Sequence, residues 1–204
     1  LGENFDIHTG GKEHIPVHHT NEIAQGFGAF GHQTANYWLH NEWLSFDGQK
    51  ISKSSGNSIL VSDIIEKGFN PLSLRYLIMT THYKTGLNFT WESLRGAQTA
   101  LKKLQTRLNE KDNIITEDKN ILVANRNMFV EFISDDLNIA GAIGLIWQII
   151  KDDRISSADK RAQILDFDKV LGLKLSEASS KINEPASTEI PEEVMELKKE
   201  RDMA

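Results

Sequence analysis

A change of pattern near Pro71 is the feature that most constrains the fold of this chain. Of its 204 residues, the first seventy hold nine of the 14 glycines and six of the seven histidines, in short segments separated by turn-forming residues. From Pro71 onward, apolar residues recur every three or four positions, which is the period of amphipathic helices. The sequence therefore predicts a glycine-rich α/β region followed by an all-α helical bundle.

Composition excludes several classes of protein. A hydrophobic share of 39% with 25% charged residues is typical of a soluble globular chain, and no apolar run approaches the roughly 20 residues that cross a bilayer. The chain has no cysteine, which excludes a disulfide framework and leaves histidine and carboxylate side chains as metal ligands. The net charge of −6 argues against indiscriminate nucleic-acid binding. A local basic strip can still act, and Lys102, Lys103 and Arg107 form one candidate, with a solvated helix face as the alternative.

Turn and cap residues divide the first part into short elements. Phe5 and Ile7 alternate with polar residues as in a strand, which we expect to end in a tight loop at Gly10-Gly11. Pro16 precedes a helix-compatible run over 17–25. Residues 43–46 can form a strand, followed by a hairpin-type turn at Asp47-Gly48 and a loop over 49–57. A short helix from Asp63, capped by Ser62, should end at Gly68.

Five helical faces are predicted in the second part, and Ser156 or Ser157 can cap the last of them, which Gly172 should end. The apolar residues of these faces are, in order, Leu72, Tyr76 and Met79; Leu94, Ala97, Leu101, Leu104 and Leu108; Leu122, Phe129, Phe132 and Ile133; Leu137, Ala140, Ile143, Trp147 and Ile150; and Ile164, Leu165 and Val170. Residues 176–191, rich in Ser, Glu, Lys and Pro, read as a linker. Because the chain starts at Leu1 without a methionine and stops inside a charged helical pattern, we expect an internal fragment.

His18 and Glu22 are candidate metal ligands. They are four residues apart, so their side chains point the same way on a helix, and imidazole and carboxylate both bind zinc. Zinc takes four ligands in a structural site or three plus an open position in a reactive one. The others would come from sequence outside the chain or from His8, His14 or His19. A solvated surface pair is the alternative.

Two loops are candidates for binding nucleotide. Lys50 and Lys53, in the run Lys50-Ile51-Ser52-Lys53-Ser54 between Gly48 and Gly56, can close over a phosphate chain; the alternative is a solvated surface loop. Gly10 and Gly11, after the first strand, can let the backbone approach a nucleotide closely; the alternative is an ordinary tight turn.

The order of these motifs adds a resemblance to a known family. The segments FDIHTGG, HHTNEIAQ, YWLH and DGQKISKSSGN together resemble the second half of the catalytic domain of cysteinyl-tRNA synthetases, which are class I aminoacyl-tRNA synthetases. The KISKS element indicates a class I synthetase. Its pairing with HHTNE indicates that the amino-acid substrate is cysteine. The resemblance continues through residues 70–76, 135–138 and 167–172, and so spans nearly the whole chain.

The resemblance implies a domain organisation. Residues 1–70 would be the C-terminal half of a class I Rossmann-like catalytic domain, an α/β fold that carries the zinc-ligand segment and the KISKS loop. Residues 71–173 would be the connecting segment and the all-α helical-bundle domain that supports the tRNA. Residues 174–191 would be a linker, and 192–204 the start of a truncated C-terminal module.

The resemblance also implies an activity, that of a cytoplasmic cysteine–tRNA ligase. Cysteine and ATP, with Mg²⁺, would give cysteinyl adenylate, and the cysteinyl group would pass to tRNA(Cys). His18 and Glu22 match two ligands of a Zn²⁺ ion that binds the substrate thiolate, the remaining family ligands being cysteines upstream of Leu1. A thiolate is a far better zinc ligand than a hydroxyl or methyl group, so the metal can reject serine and alanine. Lys53, with support from Lys50, would contact the ATP phosphates, as would the backbone of Gly10 and Gly11.

Three departures from the family pattern qualify the resemblance. Ile51 replaces the usual methionine of the lysine signature, a same-size apolar change that should preserve the loop. Glu13 stands where the family has Asp, and its longer side chain alters any hydrogen bond made there. The family's HIGH-type signature is absent from the chain, so we expect these 204 residues alone neither to hold zinc tightly nor to activate cysteine.

Two other functions fit the same residues. One is the cysteine:glucosaminyl inositol ligase of mycothiol synthesis, which shares the zinc and lysine-signature elements. The other is a noncatalytic synthetase-like paralogue that binds tRNA. A synthetase consumes cysteine only when tRNA is present, whereas the sugar ligase requires a glucosaminyl acceptor instead. A HIGH-like tetrapeptide and two cysteines in the upstream sequence would exclude the noncatalytic paralogue.

Overall fold

The computed structural model describes residues 2–50 and 59–177. It opens with strand β1 (Phe5–Gly11), a 3₁₀ turn (Lys12–His14), a π-helical turn (Ile15–His19), helix α1 (Thr20–Phe30) and strand β2 (Ala35–Asn41). The strands are parallel, with Phe5 opposite Ala35 and Gly11 opposite Asn41, and α1 makes the crossover. The predicted first strand is confirmed, but the loop predicted at Gly10-Gly11 is wrong, because both glycines pair with β2.

A second, three-stranded sheet follows. Strands β3 (Leu44–Phe46) and β4 (Gln49–Lys50) are antiparallel, and β3 is parallel to β5 (Leu87–Phe89). The predicted hairpin turn is confirmed, since Asp47 and Gly48 between β3 and β4 both have positive φ, 47° and 76°. Gln49 and Lys50 are strand residues where the sequence predicted a loop, and residues 51–58 lie outside the described part of the chain.

Six helices follow in the described part of the chain: α2 (Val61–Glu66), α3 (Pro71–Met79), α4 (Trp91–Leu108), α5 (Asn120–Ser134), α6 (Ile139–Lys151) and α7 (Ser157–Leu171). Ser156 caps α7 by accepting a hydrogen bond from the amide of Asp159, and Gly172 ends it at a φ of 63°, both as predicted. The predicted cap of α2 at Ser62 is wrong. That helix begins two residues earlier, at Val61 with Leu60 as its N-cap, and the Asp63 carboxylate accepts from the amide of Leu60 at 2.8 Å.

The core of the molecule lies among the helices. The apolar face predicted for α4 is confirmed, since all five of its predicted residues are buried, and α3 packs along this helix. A polar bond crosses this core, where the indole of Trp147 donates to the Tyr76 hydroxyl at 2.9 Å. Two of the predicted apolar residues are exposed. Leu137 precedes α6 and is 47% exposed, and Val170 on α7 is 53% exposed.

The β1–α1–β2 unit has almost no core of its own. Between residues 2 and 49 the buried residues are His19, Gly26 and Ala35. Ile7 and Tyr37, opposite each other on the two strands, are 62% and 71% exposed. A large apolar surface exposed on a sheet marks a contact face. Among the described residues, no helix combines the length and apolar character needed to cross a membrane.

Candidate functional site

Three elements bring a cluster of histidines around one carboxylate. His8 lies on β1, His18 and His19 close the π-helical turn, and Glu22 is in the first turn of α1. His8 Nε2 is 3.0 Å from Glu22 Oε2, and His18 Nε2 is 3.3 Å from Glu22 Oε1. The helical spacing of His18 and Glu22 therefore does bring their side chains together, and the parallel strand adds His8 on the other side of the carboxylate.

The cluster fits a metal ion in both its donor atoms and its burial. One ligand atom each from His8, His19 and Glu22 lie within 4.8 Å of one another. Glu22 Oε2 is buried, and no described residue gives it a hydrogen bond of good geometry despite the nearby His8 nitrogen. A buried carboxylate oxygen that lacks a hydrogen bond is costly unless a cation binds it. Two imidazoles and a carboxylate are zinc ligands, so this trio fits the metal that the sequence implied. Of the two predicted ligands, Glu22 is a member of the trio and His18 is not.

His19 is the buried member of the cluster, at 4% exposure. Burial lowers its pKa below the ordinary value of 6.5, and the neighbouring His8 lowers it further, so the neutral ring is favoured. Its Nδ1 lies 2.7 Å from Nε2 of His40 on β2. In the tautomer whose Nδ1–H donates to His40, the Nε2 lone pair of His19 is free to bind a metal.

Of the two glycines that end β1, Gly10 makes room for this cluster. A Cβ on Gly10 would lie 2.5 Å from Cε1 and 2.8 Å from Nε2 of the His19 ring, and one on Gly11 would overlap the Glu13 carboxylate. Gly10 therefore has a packing role that the sequence did not show, whereas the exposed Glu13 side chain can move away from Gly11. Both glycines also lie at the carboxyl end of β1, the edge where parallel sheets bind ligands. Their contact with a nucleotide stays a prediction.

Trp38 and His40 belong to the site and were not among the predicted site residues. Trp38 faces His8 in the strand register, with ring centroids 4.5 Å apart, and lies 4.9 Å from the ring of His19. The YWLH segment could have indicated both residues. Trp38 and His40 are two positions apart, and residues at that spacing on a strand share one face. Locating that face beside His8 required the parallel register.

A groove of about 660 Å³ opens beside the cluster, between the ends of both strands and the loop after α3. Its charged side chains are neutralised in pairs. Lys12 and Glu42 are 2.5 Å apart, and the ammonium group lowers the pKa of the Glu42 carboxyl. Across the groove, Lys84 pairs with Asp136 at 2.5 Å, which lowers the pKa of that carboxyl.

The predicted phosphate-binding lysines fall at the edge of the described chain. Lys50 ends β4, where its backbone pairs with Ser45. Lys53 lies outside the described residues. Their contact with ATP therefore stays a prediction.

Comparison with known proteins gives the class first. The family described as tRNA synthetases class I (C) catalytic domain matches residues 1–99. A solved structure, the ternary complex of Agrobacterium radiobacter K84 agnB2 LeuRS with tRNA and LeuAMS, has the same fold at a TM-score of 0.61 and 16% identity. It aligns with 87% of this chain and 27% of that one. The chain therefore has the fold of a class I aminoacyl-tRNA synthetase.

Curated relatives narrow the class to one member. Cysteine–tRNA ligase 1 of Burkholderia lata is 40% identical over 202 residues, which are 98% of this chain and 41% of the relative. The cysteine–tRNA ligase of Treponema denticola is 38% identical over 225 residues, covering 98% of this chain and 46% of the relative. The chain belongs to the cysteine–tRNA ligase family and spans less than half the length of these two relatives. The predicted family is confirmed.

Proposed function

We propose that this chain acts within a longer cysteine–tRNA ligase. The observation that carries the proposal is the Glu22 carboxylate between His8 and His18, with one buried oxygen that no described residue hydrogen-bonds. It lies in the segment that matches the class I (C) catalytic domain. The substrates would be cysteine and ATP with Mg²⁺, and the acceptor tRNA(Cys).

His18 and Glu22 would hold Zn²⁺, together with cysteine ligands from the upstream part of the longer chain. When bound, the ion would recognise the substrate thiolate and so distinguish cysteine from serine. His8 and His19, whose ligand atoms lie within 4.8 Å of the Glu22 carboxylate, would be the alternative histidine ligands of the same ion. His40 would fix the tautomer and orientation of His19 through the 2.7 Å contact between their rings.

The reaction would need positioning and charge stabilisation from the protein. A cysteine carboxylate oxygen attacks the α-phosphorus of ATP, the bond to the bridging oxygen breaks, and pyrophosphate leaves. The terminal ribose hydroxyl of the tRNA then attacks the acyl carbon, and AMP leaves. Lys53, supported by Lys50, would stabilise charge on the phosphates, and the backbone of Gly10 and Gly11 would approach the nucleotide.

The exposed faces of the β1–α1–β2 unit support the proposed domain organisation. A two-stranded sheet with three buried residues between positions 2 and 49 lacks the core of an independent domain. We therefore assign residues 1–70 to the C-terminal half of a Rossmann-like catalytic domain whose other half covers Ile7 and Tyr37. Residues 71–173 would be the tRNA-supporting bundle, 174–191 a linker and 192–204 the start of a further module, in a cytoplasmic enzyme.

The metal assignment is tested by Glu22→Ala in the longer protein. Bound zinc, measured by atomic absorption after dialysis, should fall below half of the wild-type content, and the KM for cysteine should rise. Glu131→Ala, an exposed carboxylate on α5, is the matched control and should change neither. Full zinc content with unchanged cysteine affinity in Glu22→Ala would show that Glu22 is not a ligand.

The nucleotide assignment is tested by Lys53→Ala. Cysteine-dependent pyrophosphate exchange should fall by on the order of a hundredfold, the typical effect of losing one transition-state contact, while zinc content stays normal. Cysteine consumption that needs a glucosaminyl acceptor and ignores tRNA would contradict the synthetase assignment. So would a wild-type longer protein that supports no exchange at all.

A further inference from the structure

Helix α5 carries an apolar strip on its outer face. Val123 and Val130 lie two turns apart on one side of the helix and are 58% and 49% exposed, and Ala124 beside them is exposed too. The inner face, which holds the buried Phe129, packs against α6 and α7. A well-anchored helix that also exposes large apolar side chains has a second face on which another segment can pack.

A groove extends this strip at the start of α5. It has a volume of about 680 Å³ and lies between the first turns of the helix and the loop before it. Ile115 lines it together with Ala124, and the Ile115 side chain is 80% exposed. The apolar surface therefore continues from the outer face of α5 into the groove.

The end of the strip at the groove is negatively charged. Glu117 and Asp118 line the groove, and both are exposed. Neither carboxylate forms an ion pair within the described chain, because the neighbouring Lys119 and Arg154 pair with other aspartates, at 2.8 and 2.7 Å. From the C-terminal end of α5 toward its start, the surface thus changes from apolar to acidic.

The C-terminal segment, defined as residues 190–204, has the complementary pattern in its sequence. Ile190, Val194 and Leu197 have the spacing of one helical face, and Lys198 and Arg201 continue that same face. The segment lies outside the described residues, so this match is one of sequence pattern. Along the segment, the face changes from apolar to cationic.

The two patterns also agree in length. Val130 and Asp118 are 12 residues apart, a distance of about 18 Å along a helix axis. Ile190 and Arg201 are 11 residues apart, which is about 17 Å if the segment is helical. An antiparallel arrangement therefore brings the apolar residues of both together and the cations onto the carboxylates.

The chain leaves the described helices at the end that such an arrangement requires. Helices α5 and α7 run side by side in the same direction, since Lys119 meets Asp159 near their starts and the rings of Phe129 and Phe167 stack further along. The described chain stops six residues after α7. The twelve residues 178–189 can span up to about 40 Å, whereas packed helices lie about 10 Å apart.

We propose that the C-terminal segment packs as a helix, antiparallel, along the outer face of α5. Its apolar residues cover the apolar strip, and Lys198 and Arg201 pair with Glu117 and Asp118. The contact fixes the start of the further module against the helical part of the molecule. It does not depend on the synthetase function, because both partners are segments of this chain.

Cysteine pairs test the contact, since the 204-residue chain has no cysteine of its own. In V123C/L197C, mild oxidation with copper phenanthroline in dilute solution should give an intramolecular disulfide, detected on non-reducing gels and by mass. It should form at least tenfold faster than in K103C/L197C, the matched control, whose first cysteine lies on the exposed side of α4. Equal rates in the two variants would overturn the proposal.

Charge reversal tests the orientation. Adding R201E to V123C/L197C should slow disulfide formation several-fold, and E117R in the same chain should restore the rate. K199E makes the same change of charge on the opposite side of a helical segment and should leave the rate unchanged.

Three further results would contradict the proposal: no slowing in R201E, equal slowing in K199E, or disulfides formed between two molecules at a rate that rises with protein concentration. The last result would assign the strip to a second copy of the chain. Failure of the proposed function is seen separately, as absent pyrophosphate exchange by the longer protein.

Discussion

At the scale of single residues, Gln105 is a buried polar side chain that lowers the stability of the fold. It lies on the buried side of α4 at 0% exposure, and neither its amide nitrogen nor its amide oxygen has a hydrogen-bond partner in the described chain. Gln98 on the same helix is the contrast, since its oxygen accepts from the Asn70 amide at 2.9 Å and the Ser73 hydroxyl at 3.3 Å. Two glutamines of one helix therefore have opposite effects on stability.

Gln105→Leu should stabilise the fold. The change removes two buried polar atoms without partners, each costing about 1–3 kcal/mol, so we expect the free energy of unfolding to rise by about 1 kcal/mol after some packing adjustment. Gln98→Leu, the matched control, should lower it by about 1–2 kcal/mol, because it removes the hydrogen bonds that the Asn70 amide and the Ser73 hydroxyl donate to Gln98. Urea denaturation followed by circular dichroism measures both. A loss of stability in Gln105→Leu as large as in Gln98→Leu would contradict this account.

At the scale of elements, one carboxylate ties the start of α7 to the loop before α5. Asp159 Oδ2 accepts hydrogen bonds from Lys119 at 2.8 Å, Thr116 at 2.6 Å and Ser156 at 2.9 Å. The bond from Lys119, followed by those from Thr116 and Ser156, lowers the pKa of Asp159 to about 2. This end of α7 is consequently anchored by charge as well as by its cap.

The lowered pKa predicts a stability that depends on pH. The pKa of Asp159 in the folded protein lies below its unfolded value of 3.8. The Asp159 carboxylate therefore stabilises the fold fully above about pH 4, and this stabilisation is lost as the pH falls toward about 2. Asp159→Asn should lower the free energy of unfolding by about 1–2 kcal/mol at pH 7 and remove this part of the acid sensitivity. Asp153→Asn, an exposed control at the preceding turn, should leave both unchanged. Urea titrations at pH 7 and pH 3 measure the free energy of unfolding of each protein. An equal loss between the two pH values in wild type and Asp159→Asn would contradict the role given to Asp159.

At the scale of the whole molecule, the turn before α6 holds the loop that leads back to the β-strands. Asp136, at a φ of 50°, accepts from the Tyr83 hydroxyl at 2.6 Å and pairs with Lys84. The carbonyl of Tyr83 accepts from the amide of Glu42, just after β2, at 2.8 Å. The helical part is thereby connected to the end of the strand that carries Trp38 and His40.

Asp136→Asn should loosen this connection without unfolding the core. Asparagine tolerates the left-handed backbone, so the turn should persist while the charged bond to Lys84 is lost. Amide hydrogen exchange around residues 42 and 81–85 should speed up several-fold, with no change in the core amides of α4. Asp166→Asn, whose Lys169 partner lies on the same helix, should leave the loop unaffected. Uniformly faster exchange in Asp136→Asn would indicate global destabilisation and contradict a local connection.

The sequence by itself determined what depends on short-range spacing. The apolar period of α4, the Ser156 cap, the Gly172 stop and the turn at Asp47-Gly48 follow from local geometry, and all four were predicted correctly. The pairing of His18 with Glu22 belongs with them, because residues four apart on a helix meet whatever surrounds them. The ordered motifs likewise sufficed to predict the family.

Only the tertiary structure decided which distant residues share the site. His8 faces Glu22, and His40 faces His19, because the parallel register places β1 beside β2 across the intervening helix, a long-range fact that no local spacing encodes. The same register explains why Gly10 and Gly11 are strand residues, where the sequence predicted a loop, and Gly10 lies against the His19 ring. Leu137 shows the converse, since its apolar side chain fits the helical period but the positive φ of the preceding turn keeps it outside α6. Local periodicity thus fixed the elements, while strand pairing and turn conformation fixed which side chains meet.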